Sequence, residues 1–569
     1  MTYYQKAMNM DKLDNNDEYG SQSLRPNDRG YNGLSEDTSI ENGGVPGIRN
    51  RQRVFPLQEV FSYSSNLSDL VMGLAGNYIT LAACGIGIML CIACKAIYNV
   101  YFHPLRNFPG PKHLAAGRIP VTVATLRGRK AQFRFKLHRK YGEIVRIAAN
   151  ELSFAHAQGW KDIYGTNAKV QKIKPISGVE EEEGGAQSVV TAEGDTHTKQ
   201  KRIMKTMFSE KMLREKESVF IGHVDQLIQR LLAFEGRPLS LADWYSFTTF
   251  DIIGDLLFGE PLGMLSRSDY VPWVKAVPDF VKAFVLIVVL YQYRLFRICW
   301  ALVPWKLLKG MRKTHFSYTG QKVDQYLGLK EGFRKGILDH LLDAGSSRGL
   351  LVSEVHKNAP ILVFGGSDTA ATQLRCLTYL LFKNPGPMKR LVSEIRSAYA
   401  SSDQITYDSL LEQKYLNACI EEGLRYYPTC INGQPRVVPE DGATICGKFV
   451  AAGTIVSVAT YSLHRSSEYF YLSDTFAPER WLKENEGGSP LFSDDVKSLV
   501  LPFSYGPHNC PARKMGYYEI RLILTKILWH FDLELLPEGG GEKDSWDDME
   551  NYQTWVKLPL MVIANPVMR

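Results

Sequence analysis

Leu501-Pro502-Phe503-Ser504-Tyr505-Gly506-Pro507-His508-Asn509-Cys510-Pro511-Ala512-Arg513 is the stretch on which the reading of this chain turns. Its prolines and glycine make an irregular loop. A helical pattern follows at once, with apolar residues at Met515, Ile520, Leu522, Ile523, Ile527 and Leu528. A cysteine at such a junction meets free backbone N–H groups and the positive end of the helix dipole, and both favour the thiolate. A lone cysteine is more often a buried inert thiol, but this framing loop points to a metal ligand.

Two segments upstream share that unusual chemistry. Phe364-Gly365-Gly366-Ser367-Asp368-Thr369-Ala370-Ala371-Thr372 lies inside an otherwise apolar helical run. Paired glycines and an acid–alcohol pair cost stability in a helix interior, so they mark a site. Pro360 sits upstream in the same run and predicts a kink or a helix start. In Glu422-Gly423-Leu424-Arg425 the two charges, three residues apart, share a helical face and can pair. Such tetrapeptides are common on surface helices; Phe476-Ala477-Pro478-Glu479-Arg480-Trp481 lies between this helix and the Cys510 loop.

A single thiolate with no second cysteine nearby suits axial ligation of haem iron. The Cys510 loop resembles the haem-binding loop of cytochromes P450, with Phe503, Gly506, His508, Cys510 and Ala512 on the recurrent positions. His508 stands where arginine is common, and Ala512 where glycine is common. An imidazole carries only part of a charge near neutrality, so His508 is a weaker propionate partner than arginine. The resemblance implies a structural triad of Glu422, Arg425 and Arg480. It makes Gly365 and Gly366 the point where oxygen approaches, and Asp368 and Thr369 the catalytic acid–alcohol pair. His197, Lys201 and Arg202 resemble the propionate-binding helix of fungal members, and Arg436 another propionate contact. The resemblance covers roughly residues 98 to 565, and Tyr101-Phe102-His103-Pro104-Leu105 followed by Phe108-Pro109-Gly110-Pro111 is most similar to microsomal P450s of filamentous fungi.

The 569 residues are 45% hydrophobic with a net charge of +7, too modest to argue for nucleic acid. Nine cysteines without paired spacing argue against a disulfide framework or zinc module and for a reducing compartment. Residues 1–69 read as a disordered polar tail. Residues 70–97 read as one transmembrane helix, built on the uncharged run from Tyr78 to Cys94. Residues 98–112 form a proline-rich connector, and 113–569 the catalytic domain. Lys95 and Arg106 follow the span but Arg49, Arg51 and Arg53 precede it, so charge alone does not orient it. Asn66-Leu67-Ser68 would be a lumenal sequon and make the chain a glycoprotein. Helical periodicity is predicted over 205–235, 355–382, 387–399, 408–426 and 514–531, with strands in 444–460. The apolar run Phe284–Leu290 could dip into a membrane interface, line a substrate entrance or form a buried helix.

The fold the resemblance implies is the mainly α P450 fold with a small β region, preceded by one transmembrane helix. The implied protein carries haem b on Cys510, uses O2, takes NADPH electrons from cytochrome P450 reductase, and oxidises a lipophilic small molecule. It would sit in the endoplasmic reticulum bilayer with its catalytic domain in the cytosol. Residues 280–300 and 553–556 would line the pocket. Two other classes remain: a haem-thiolate isomerase or dehydratase needing neither O2 nor reductase, and a non-catalytic haem-binding membrane protein.

Overall fold

The structure, a computed structural model, describes residues 57–172, 186–275, 277–293, 318–329, 336–342, 349–537, 546 and 548–567. Most of the expected tail, residues 1–56, lies outside them. Helix Leu57–Tyr101 begins well before the expected edge at 70 and ends inside the expected connector. Once an apolar core of turns forms, each added residue gains a hydrogen bond, so the helix propagates into polar flanks. Its apolar part, Asn77–Tyr101, has 25 residues, a mean hydropathy of 2.0 and no buried share. That length exceeds what a hydrocarbon core requires. The chain divides into two compact units at Ala83/Cys84. The described part of the first is helix throughout, and the second holds all the remaining elements.

Within the second unit the core forms around two helices. Val352–Lys383, the long helix, is capped where the Leu351 N–H donates to Glu354 Oε2 at 2.9 Å. Pro360 lies buried inside it, neither starting nor ending it; the ring removes the bond to the His356 carbonyl. Helix Leu241–Phe258 packs against it and is buried on nearly every face. Gly366 lies at this contact: a Cβ there would stand 2.8 Å from Ile253 Cδ1. Two predicted helical runs are broken. The 205–235 run divides into Gly194–Met207, Glu210–Glu215 and Glu217–Leu232, with Ser209 capping the second by accepting from Met212 N. The 408–426 run divides into Tyr407–Leu411 and Lys414–Tyr426. The Phe284–Leu290 run lies in helix Val277–Tyr291, which buries Val285 and Val289 while Leu286 stays exposed.

The β region comprises β1 (Ile144–Ala148), β2 (Glu151–Phe154), β3 (Gln171–Lys172), β4 (Leu239–Ser240), β5 (Arg436–Val437), β6 (Ala443–Ile445), β7 (Lys448–Val450), β8 (Ile455–Val458), β9 (Phe531–Leu535) and β10 (Met561–Pro566). One sheet runs β1-β2-β8-β5-β3, a second β4-β10-β9, and β6 pairs with β7. The β2–β8 pair is parallel, with Glu151 opposite Ile455 and Phe154 opposite Val458. Register places Arg436 of β5 beside both Lys172 of β3 and Val456 of β8. The strand-like alternation read at 444–460 thus belongs to two separate sheets, β6 in one and β8 in another.

Candidate functional site

The Cys510 loop closes on itself. The Cys510 N–H donates to Phe503 O at 2.9 Å, and Asn509 N to Gly506 O at 3.2 Å. Gly506 has φ +72, and a Cβ there would lie 1.9 Å from Tyr164 O, so only glycine lets the loop pass that carbonyl. Phe503 packs against Tyr517 of the following helix, Arg513–His530, with ring centroids 5.1 Å apart. Burial pushes the Cys510 thiol up, while the Ala512 N–H and the Lys201 ammonium pull the other way.

Around this loop lie five basic side chains from four elements. Lys201 on helix Gly194–Met207 donates to Pro507 O, and to Asn509 Oδ1 at 2.6 Å. His197, one turn earlier, meets His508, with Nε2 and Nδ1 2.9 Å apart. Lys172 Nζ donates to Ala192 O at 2.9 Å. Arg436 is 5% exposed and stacks over Tyr164 at 5.2 Å. Burial, then Lys172 and Lys201, lower His197 to about 4. Burial, Lys172, His197, Arg436 and Lys201 lower His508 to about 3. Lys201 falls to about 8 through burial and its neighbour Lys205, with Cys510 opposing. Arg202, expected among these groups, is exposed on the other side of its helix; the 3.6-residue period that turns Lys201 inward turns Arg202 out.

Tyr164 ties the loop to the sheet. Its hydroxyl donates to Gln434 O at 2.8 Å and accepts from Val458 N at 3.2 Å. Burial pushes that hydroxyl up to about 12, so it stays protonated.

The long helix presents its glycine pair unequally. A Cβ on Gly365 would meet nothing within 4 Å, whereas Gly366 is filled by Ile253, with Met515 Cε also 3.6 Å away. Gly365 therefore opens onto space and Gly366 serves packing, which corrects the expectation of one shared role. Thr369 Oγ1 donates to Gly365 O at 2.8 Å. Asp368 is 7% exposed and lies 3.1 Å from Lys557 Nζ. Cys430 is accessible to solvent, yet its thiol is pushed up to about 11, chiefly by burial, then by Cys510 and Asp368. Cys430 thus feels both the Cys510 loop and the long helix.

Glu422, Arg425 and Arg480 are fully buried. Arg425 grips Glu422 through two bonds of 2.8 Å and donates to His464 O, Ser473 O and Thr475 O. Glu422 also accepts from Ala477 N and Trp481 Nε1, each at 2.9 Å. Arg480 Nε is 3.4 Å from Glu422 Oε2, and its Nη1 meets Asp495. The expected triad is a tetrad. Asp495, in a loop with no periodicity, carried no sequence signal.

Residues 109–549 match the family model described as Cytochrome P450. The chain belongs to the cytochrome P450 family. Among similar proteins, cytochrome P450 monooxygenase efuB of Hormonema carpetanum is 37% identical over 82% of this chain and 92% of its own length. Cytochrome P450 monooxygenase astJ of Aspergillus oryzae is 36% identical over 83% of this chain and 94% of its own. Averantin hydroxylase of Dothistroma septosporum is 35% identical over 86% and 93%. This P450 is a monooxygenase, a class that works with haem-thiolate iron, O2, a redox partner and a small-molecule substrate. The donor set fits that cofactor. Cys510 would supply a soft ligand just ahead of a helix start. The clustered Lys172, His197, Lys201, Arg436 and His508 suit the two carboxylates of a porphyrin, with Glu193 offsetting Lys172. Lys172 escaped sequence reading because its β-strand partner Arg436 is 264 residues away and no motif surrounds it.

Proposed function

We propose that this P450 is a tailoring monooxygenase inserting one oxygen atom from O2 into a lipophilic small molecule of fungal secondary metabolism. The names of its relatives support the class, and the basic cluster gathered around the Cys510 loop carries the assignment of roles. Cys510 holds the iron of haem b. His197, His508, Lys201, Lys172 and Arg436 hold the propionates, and Phe503 shields the sulfur. When bound, the haem supplies O2 binding and O–O cleavage, helped by electron density from the thiolate.

The remaining chemistry falls to side chains. Gly365 leaves room beside the long helix, Thr369 orients a hydrogen bond toward that room, and Asp368 moves protons to it. Glu422, Arg425, Arg480 and Asp495 fix the layer behind the Cys510 loop. Electrons come from NADPH–cytochrome P450 reductase. Residues 57–101 anchor the chain in the endoplasmic reticulum membrane by a single pass, with residues 113–569 forming the cytosolic catalytic domain.

The test is the absorption spectrum of the reduced protein under carbon monoxide. Wild type is expected to show a red-shifted Soret band, and Cys510→Ser to lose it. A spectrum indifferent to Cys510, or a protein that takes up no haem, sinks the assignment.

A further inference from the structure

The long helix is met by a segment near the C-terminus, residues 551–557, whose side chains close on Asp368. Lys557 Nζ lies 3.1 Å from Asp368 Oδ1, and Thr554 Oγ1 donates to Asp368 Oδ2 at 3.3 Å. One short segment thus engages both carboxylate oxygens. Two turns further along, Arg375 Nη2 donates to Trp555 O at 3.4 Å, and Trp555 Nε1 donates to Pro428 O at 3.1 Å. The segment's other end is tied where Asn551 N donates to Gly128 O at 2.7 Å. The Lys557 ammonium also lies over the rings of Phe250 and Tyr270, at 5.8 and 5.6 Å.

The neighbouring alcohol is turned elsewhere, since Thr369 donates to Gly365 O in its own helix. Acid and alcohol, adjacent in sequence, are bonded to different partners. The Lys557 side chain is 25% exposed and that of Asp368 10%, so the pair is neither sealed nor free. Water reaches the Lys557 side chain, so its ammonium can be hydrated when the pair opens.

We propose that Lys557 is a positioning residue that latches Asp368 to the C-terminal segment, so that proton delivery beside Thr369 waits on release of this ion pair. The inference rests on the roles given above to Asp368 and Thr369. It also gives the 551–557 segment a function: whatever moves it in the pocket frees the acid.

Turnover without added substrate provides a readout that needs no knowledge of the substrate. One NADPH, one proton and O2 give NADP+ and H2O2. Two NADPH, two protons and O2 give two NADP+ and two waters, an outcome that needs continued proton supply at the oxygen. Purified holoenzyme with its reductase is assayed for NADPH consumed and H2O2 formed per O2. Freeing the acid in Lys557→Met is expected to raise the NADPH:O2 ratio from near one to about 1.5, with H2O2 formed per O2 falling about twofold. Lys557→Arg keeps the wild-type ratio, and Asp368→Asn abolishes the effect of Lys557→Met. Lys557→Gln replaces the Met variant if that one fails to retain haem.

Hydrogen exchange of peptides spanning 549–560 should quicken in Lys557→Met and not in Lys557→Arg. Faster exchange with an unmoved ratio makes Lys557 a mere anchor and overturns the latch. A shift that survives Asp368→Asn overturns it too. The carbon monoxide spectrum of the same preparations separates the two levels: a wild type lacking the thiolate band overturns the functional reading and the latch together, whereas an intact band with an unmoved ratio overturns the latch alone.

Discussion

Two charge clusters border the Cys510 loop, one through His464 and Leu501 and one through Lys201 and His197, and they are built on opposite plans. In the Glu422 cluster, two carboxylates face two guanidiniums, and backbone carbonyls take up further donors. In the Lys201 cluster, lysines, an arginine and two histidines crowd together, and burial followed by that crowding lowers Lys201 and both histidines. A network that balances its charges internally is part of the protein's architecture. A set of cations balanced only in part by the protein is shaped for an anion from outside. The difference teaches that burial of charge does not by itself distinguish scaffold from site; the local sum of charges does.

Breaking the first plan should cost the most. Glu422→Gln leaves Arg425 and Arg480 buried beside a neutral amide, and removing one partner of a buried pair costs about 3–5 kcal/mol. Loss of soluble, haem-loaded protein is expected, read as the yield of the carbon monoxide band. A Glu422→Gln variant that folds and melts like wild type would place the network among dispensable ion pairs.

The second plan should fail differently. Arg436→Met removes a cation without stranding an anion, and a hydrogen bond to a charged group is worth about 1.5–3 kcal/mol. Haem loss to excess apomyoglobin is expected to quicken by roughly tenfold or more, with the unfolding midpoint of the haem-free protein unchanged. Equal damage to fold and haem retention would erase the distinction between the clusters.

A pH experiment bears on the first cluster through His464, compared with its own substitution because His197 and His508 titrate over the same window. His464 is buried beside Arg425, and burial followed by that guanidinium lowers it to about 3 from an ordinary 6.5. Between those values the unfolded chain binds the proton and the folded one does not, so stability rises with pH across that window and is full above 6.5. The urea midpoint should therefore fall as pH drops below about 6.5, and His464→Gln should flatten that fall. The smallest effect is expected at Arg202: exposed and outside the cluster, Arg202→Met should leave haem retention within error of wild type.

Legibility followed the same division. Motifs in one stretch of chain were readable, because helix periodicity and costly residues announce themselves locally. Cys510, Glu422, Arg425, Arg480, Asp368 and Thr369 were singled out in that way. What joins distant segments was not readable. Lys172 reaches the site through the pairing of β3 with β5, Asp495 through a loop, and Lys557 from the far end of the chain. Arg202 was misjudged beside Lys201 because adjacent residues on a helix point about 100° apart, and a motif does not state which one faces in. Gly366 looked like a partner of Gly365 until Ile253 showed that it answers to a neighbouring helix.

Tyr164 has a consequence of another kind. Its carbonyl bounds the turn at Gly506, its ring carries Arg436, and its hydroxyl is pinned between Gln434 and Val458. The loop of the proposed iron ligand and the proposed propionate contact Arg436 are thus surveyed from a single benchmark. A shift of the sheet would carry both ends of the cofactor's seat along together, preserving the spacing between them even as the seat itself moves.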